Sequence, residues 1–148
     1  MHLSIINYFK ANGETAFKTS NLKNWALQNS LIFNDDTFEI SNNSGKTIAL
    51  CDSYNENIQV VIIIISTWPV GNSFSKEQRI SFDTEYRKIK DEISSIIGEQ
   101  PSEQKDASCY NFKASRWLVG KAAFFLNQDT SDFFDSSELS IVIKKALY

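Results

Sequence analysis

Six β-branched residues in a row, Val60-Val61-Ile62-Ile63-Ile64-Ile65, restrict this chain more than any other feature. A branched Cβ narrows χ1 and fits a pleated sheet better than a helix. The apolar stretch around it, Ile58 to Thr67, contains Gln59, Ser66 and Thr67. It is far shorter than the roughly 20 apolar residues a bilayer-spanning helix needs. It predicts a central strand buried on both faces, with helices as the material to cover them. Trp68-Pro69 closes the strand, because Pro cannot donate to a ladder.

The flanks of that strand are legible too. Phe38 and Ile40 alternate with polar neighbours, Asn42-Asn43-Ser44-Gly45 is a turn, and Thr47 to Asp52 reads as the preceding strand. A turn at Asn55-Glu56-Asn57 leads into the apolar run. Downstream, Phe82, Tyr86, Ile89, Ile93, Ile96 and Ile97 recur at three- and four-residue steps, predicting one long amphipathic helix. Ser75 with Gln78 matches a capping box, and Gly98 followed by Pro101 marks its end. Glu85, Arg87, Lys88, Lys90, Asp91 and Glu92 form the opposite, charged face.

Near the start, Leu3, Ile5, Ile6 and Phe9 predict a short helix ending at Asn12-Gly13. Ser20 reads as the cap of a second, with Leu22, Trp25 and Ala26 inward. The last third reads as a meander: a short strand at Cys109 to Phe112, a hairpin through Trp117 and Gly120-Lys121 to Ala122–Asn127, an acidic loop to Glu138, and a closing strand from Leu139. Strands grouped around a helix, without regular βα alternation, predict an α+β fold in a single domain over residues 1–148. The sheet is expected to be largely antiparallel, and the core rich in phenylalanine.

Charge and composition exclude several functions. The chain of 148 residues carries a net charge of -3 and no basic stretch, so no nucleic-acid partner is expected. No targeting or membrane segment is read from the sequence, so a cytoplasmic protein is expected. Cys51 and Cys109 are far apart and read as reduced core thiols.

Catalytic groups are scarce. The single histidine is His2, beside the first methionine, where it is poorly placed to act as a general base. Neither cysteine has an evident base partner, and no P-loop or GxGxxG is present. The chain is therefore read as no enzyme and as needing no cofactor. Asp129, Asp132, Asp135 and Glu138 fall three residues apart, but their spacing matches no EF-hand and no metal is assigned.

The same loop has the chemistry of a contact surface. Phe133-Phe134 sits between those carboxylates, and aromatic anchors with a charged rim are what binding hot spots use. Asp129, Asp132, Phe133, Phe134, Asp135 and Glu138 are the candidate partner-binding residues. A pocket between the long helix and the sheet, lined by Trp68, Tyr86 and Trp117, is the alternative.

From Ser75 to Tyr148 the arrangement resembles small immunity proteins of bacterial polymorphic-toxin and contact-dependent inhibition systems. The elements are the helix closing on Ile97-Gly98-Glu99-Gln100-Pro101, the Trp117 strand, the Phe124-Phe125-Leu126 strand, the acidic loop and the closing strand from Leu139 to Lys145. The resemblance implies a cytoplasmic protein that binds and blocks a cognate toxin domain without a cofactor. It transfers no binding residue. The rival expectation is a small-molecule-binding or regulatory domain. Self-association is compatible with both.

Overall fold

The computed structural model describes residues 3–69, 76–106, 112–130 and 136–146. Among the described residues, three α-helices and eight strands follow one another as α1 (Ser4–Asn12), a 3-10 turn (Gly13–Phe17), α2 (Thr19–Gln28), β1 (Ile32–Asn34), β2 (Glu39–Ser41), β3 (Thr47–Tyr54), β4 (Asn57–Pro69), α3 (Lys76–Ile97), β5 (Ser102–Asp106), β6 (Phe112–Val119), β7 (Ala122–Thr130) and β8 (Ser136–Lys145). The strands form one sheet in the order β1-β2-β3-β4-β8-β7-β6-β5. This is the α+β class with an antiparallel sheet that the sequence predicts. The chain groups into two compact units.

The first unit holds residues up to Ile63, Leu118–Phe124 and the chain from Val142. Its core is aromatic: the Phe9 and Phe17 rings lie 4.9 Å apart, and Tyr8 meets Phe9 edge-on at 5.1 Å. Ile5, Ile6, Leu22 and Ala26 are buried with them. The helix predicted with Ser20 as its cap is capped two residues earlier and starts at Thr19. Lys18 stands at the cap position without a side-chain cap bond. The Thr19 hydroxyl instead meets the Ser53 hydroxyl of β3 at 3.0 Å, tying α2 to the sheet.

The β3–β4 hairpin turns at Asn55 and Glu56, both with φ near the left-handed value (50° and 62°). That mirror-image turn matches the right-handed twist of the strands it joins. Just past it the register slips: Ser53 pairs with Ile58, but Asp52 pairs with Val60. Gln59 is the extra residue of a bulge. It swings Ile58 onto the face of Cys51, Ser53 and Val61, where it is buried.

The second unit holds Ile64–Trp117 and Phe125–Ile141. Of the stripe read from the sequence, α3 buries Phe82, Tyr86, Ile89, Ile93 and Ile97, while Ile96 is half-exposed. Gly98 ends it with φ 85°, its N–H donating to the Ser94 carbonyl at 2.7 Å. That conformation favours glycine.

Three expectations change. β4 is not covered on both faces: Val61 and Ile63 are buried, but Val60, Ile62 and Ile65 are half-exposed and Ile64 is 42% exposed. A continuous β-branched run packs on one face as readily as on two, so composition could not separate the cases. The acidic loop is shorter than expected, because β7 runs on to Thr130 and β8 begins at Ser136. Finally, Ser102–Asp106, which has no apolar residue, is a strand paired to β6 with Glu103 opposite Ser115. The expected strand from Cys109 falls mainly outside the described residues.

Candidate protein-binding face

The bulge at Gln59 and the alternation of β3 sort the first unit's sheet into two faces. Ile40, Ala49, Cys51, Ser53, Ile58 and Val61 point to the helix-covered side, which Ser53 marks by its bond to Thr19. Glu39, Leu50 and Ile62 form a cross-strand row on the other side, and Asp52 with Val60 forms the next. Tyr54 continues the β3 series on that side, since residues two apart share a face. Leu50 is 37% exposed and Tyr54 70%.

This face is unusual for a solvated sheet. From Thr47 to Pro69 there is no lysine or arginine. Exposed strands commonly carry such charges as protection against unwanted pairing. In the β2–β4 part of these rows the charges are the carboxylates of Glu39 and Asp52, with Glu56 in the adjoining turn, while Lys144 and Lys145 of β8 lie near Val60. An apolar centre of Leu50, Val60 and Ile62, an exposed tyrosine and an acidic rim form a surface suited to a protein with basic groups.

The side chains with reactive potential are held in protonated forms. Cys51 is a free thiol on the covered face, and burial pushes it up to about 12. A thiol held there is a poor nucleophile near neutral pH. In the second unit, Tyr86 is 5% exposed, and its hydroxyl lies 2.5 Å from the Ser115 hydroxyl and 3.3 Å from Glu103 Oε2. Burial pushes Tyr86 up to about 12, and the Glu103 charge works in the same direction, against the lowering effect of the Ser115 bond.

Ser115, fully buried, also donates to Glu103 at 3.0–3.1 Å, and Lys90 reaches Glu103 Oε1 at 3.5 Å. Farther along α3, buried Gln128 donates its amide to Asp83 Oδ1 at 2.8 Å, with Lys113 at 3.7 Å from the same oxygen. Asp83, Tyr86 and Lys90 follow three- and four-residue steps, so one helix face presents a polar seam to β5, β6 and β7. It ties helix to sheet with charge-assisted bonds. Lys90, read from sequence as part of a solvated face, belongs to this seam.

The alternative pocket residues behave as anchors where they are described. Trp117 is 2% exposed, and its indole N–H donates to the Glu99 carbonyl at 3.2 Å. Tyr86 is engaged as above. Trp68 sits in β4, and its side chain lies outside the described residues. Of the loop candidates, Asp132, Phe133, Phe134 and Asp135 lie outside the described residues. Asp129 and Glu138 are placed only by backbone, in β7 and β8.

Sequence reasoning missed the Leu50–Ile62 face. The missing lysines and arginines from Thr47 to Pro69 were the signal that could have found it. Among the described residues, no helix is long and apolar enough to cross a membrane. No family model, curated protein or solved structure matches the chain.

Proposed function

We propose that the protein is a non-catalytic immunity protein that binds and neutralises a bacterial toxin domain. The outward face of β3 and β4 supplies part of the contact. The observation that carries this reading is the solvent-facing row of Leu50 and Ile62 bordered by carboxylates, with Tyr54 exposed beside it. An exposed tyrosine beside a partly apolar patch supplies the kind of aromatic contact that binding hot spots use. Carboxylates around it steer a basic partner and raise its association rate. The loop residues Asp129, Asp132, Phe133, Phe134, Asp135 and Glu138 are assigned to the same kind of contact on their chemistry. The elevated Cys51 and Tyr86 titrations and the fully engaged Ser115 hydroxyl support a non-catalytic role.

The test is calorimetric titration of the full chain with the toxin-like C-terminal domain encoded beside its gene. Tight 1:1 binding that weakens at least tenfold in Leu50→Asp, with thermal unfolding unchanged, is the expected result; tenfold is about 1.4 kcal/mol. Loss of binding only in Asp132→Lys/Asp135→Lys would move the contact to the loop. A neighbourhood without a toxin gene, or a toxin domain that does not bind, contradicts the assignment.

A further inference from the structure

The first unit contains a second feature, which borders that face at Val60: a cleft of about 650 Å³ where the 3-10 turn, the residue before α2, the first residues of β4 and the end of β8 meet. Such a volume falls within the range of small-molecule sites, and exceeds what a bare inorganic anion needs. Lys18, Lys144 and Lys145 line it, and Glu14 is the one acidic residue that does. Lys121 adds to the positive field that reaches Glu14. Four of the chain's 15 basic residues are thus gathered around one cleft of an otherwise acidic protein. The accessible apolar part of the lining is Val60 and the aliphatic stems of the lysines, with Phe17 and Ile58 buried beneath.

Lys18 is placed by backbone contacts. Lys18 bridges Asn57 of β4, and the Thr19 N–H donates to the Glu56 carbonyl at 2.9 Å, so the start of α2 is fastened to the hairpin. Lys145 is held by Glu14 at 2.7 Å, with both side chains well exposed. The first turn of α2 contains no acidic residue, so the positive end of its dipole adds to the field. Glu14 therefore occupies, for Lys145, the position that an external anion would take.

We propose that this cleft binds a small organic phosphate monoester, its dianionic head among Lys18, Lys144 and Lys145 and its apolar body against Val60 and the aliphatic stems of the lysines. Two negative charges satisfy several amines better than one, and ammonium groups bind phosphate as point charges. The apolar lining gives a phosphate with an organic body its advantage over inorganic phosphate.

The test is calorimetric titration of the full chain at low salt with phenyl phosphate, inorganic phosphate and benzoate. Phenyl phosphate is expected to saturate with Kd below about 1 mM and to bind more tightly than either other probe. Lys18→Gln is expected to weaken it roughly tenfold through loss of one charge-assisted contact. Glu14→Gln is expected to tighten it several-fold by releasing Lys145, a gain that a damaged fold would not produce. Equal binding of inorganic and phenyl phosphate, benzoate binding as tightly, no saturation, or weaker binding in Glu14→Gln each overturns the proposal. Because the readout involves no toxin domain, it succeeds or fails separately from the immunity assignment.

Discussion

Tyr86→Phe removes one hydroxyl from the buried seam and leaves the ring in place, so its cost can be worked almost entirely from hydrogen bonding. The hydroxyl meets Ser115 and Glu103, and Ser115 keeps Glu103 as an acceptor after the change. No buried donor is orphaned, so the loss near neutral pH is about 1–2 kcal/mol. The pH dependence then separates this from a simple packing effect. Tyr86 is held as the neutral phenol, with its titration raised from 10.0 to about 12. Its folded form therefore keeps the proton more tightly than the unfolded chain does. This contribution is fully present below pH 10 and is lost as pH rises toward 12. At 1.36 kcal/mol per unit, integration gives a loss of about 2 kcal/mol by pH 12 in the wild type. The variant lacks that titration, whereas the raised Tyr8 and Cys51 titrations are common to both chains. Urea denaturation followed by circular dichroism from pH 8 to 12 should show the wild type more stable at pH 8. Its margin should close above pH 10 and vanish or reverse by pH 12. A constant margin across that range would refute the reasoning.

The two faces of β4 give a contrast at adjacent residues. Ile63→Ala, at 1% exposure, should cost about 2–5 kcal/mol, while Ile64→Ala, at 42%, should cost well under that; chemical denaturation of the pair measures it. Gly98→Ala meets nothing within 4 Å of the new Cβ, so only the left-handed φ of 85° opposes it. A loss of about 1–2 kcal/mol in thermal unfolding is expected. Trp117→Phe removes the bond to the Glu99 carbonyl and part of a buried ring, so a loss of about 1–3 kcal/mol and a change in tryptophan emission should accompany it.

The strongly patterned elements were legible from residues alone. The α3 stripe, the glycine that ends it and the Asn55-Glu56 turn have local causes, and the structure carries all three. β5 was not legible, because Ser-Glu-Gln-Lys-Asp has no apolar alternation and becomes a strand through its pairing with β6. The bulge at Gln59 was hidden as well, since every residue near it suits a strand on either face. The polar seam escaped notice because Asp83 and Lys90 are ordinary helix-surface residues until Gln128 and Glu103 are brought opposite them. Tyr86 and Trp117 are read from the sequence as lining a pocket between the long helix and the sheet, and both side chains are buried. What sequence could not show is that their polar tips are engaged by the protein's own groups. The candidate binding face depends on strand register, which fixes that Glu39, Leu50 and Ile62 stand side by side.

Tyr54 is the most direct probe of that face. It is 70% exposed, so truncating it should leave the fold intact. Titration of Tyr54→Ala with the proposed partner, a toxin domain, should show affinity reduced by about tenfold or more, the loss of one aromatic hot spot, at an unchanged melting temperature. Unaltered affinity in Tyr54→Ala combined with Leu50→Asp would contradict the assignment of the β3–β4 face.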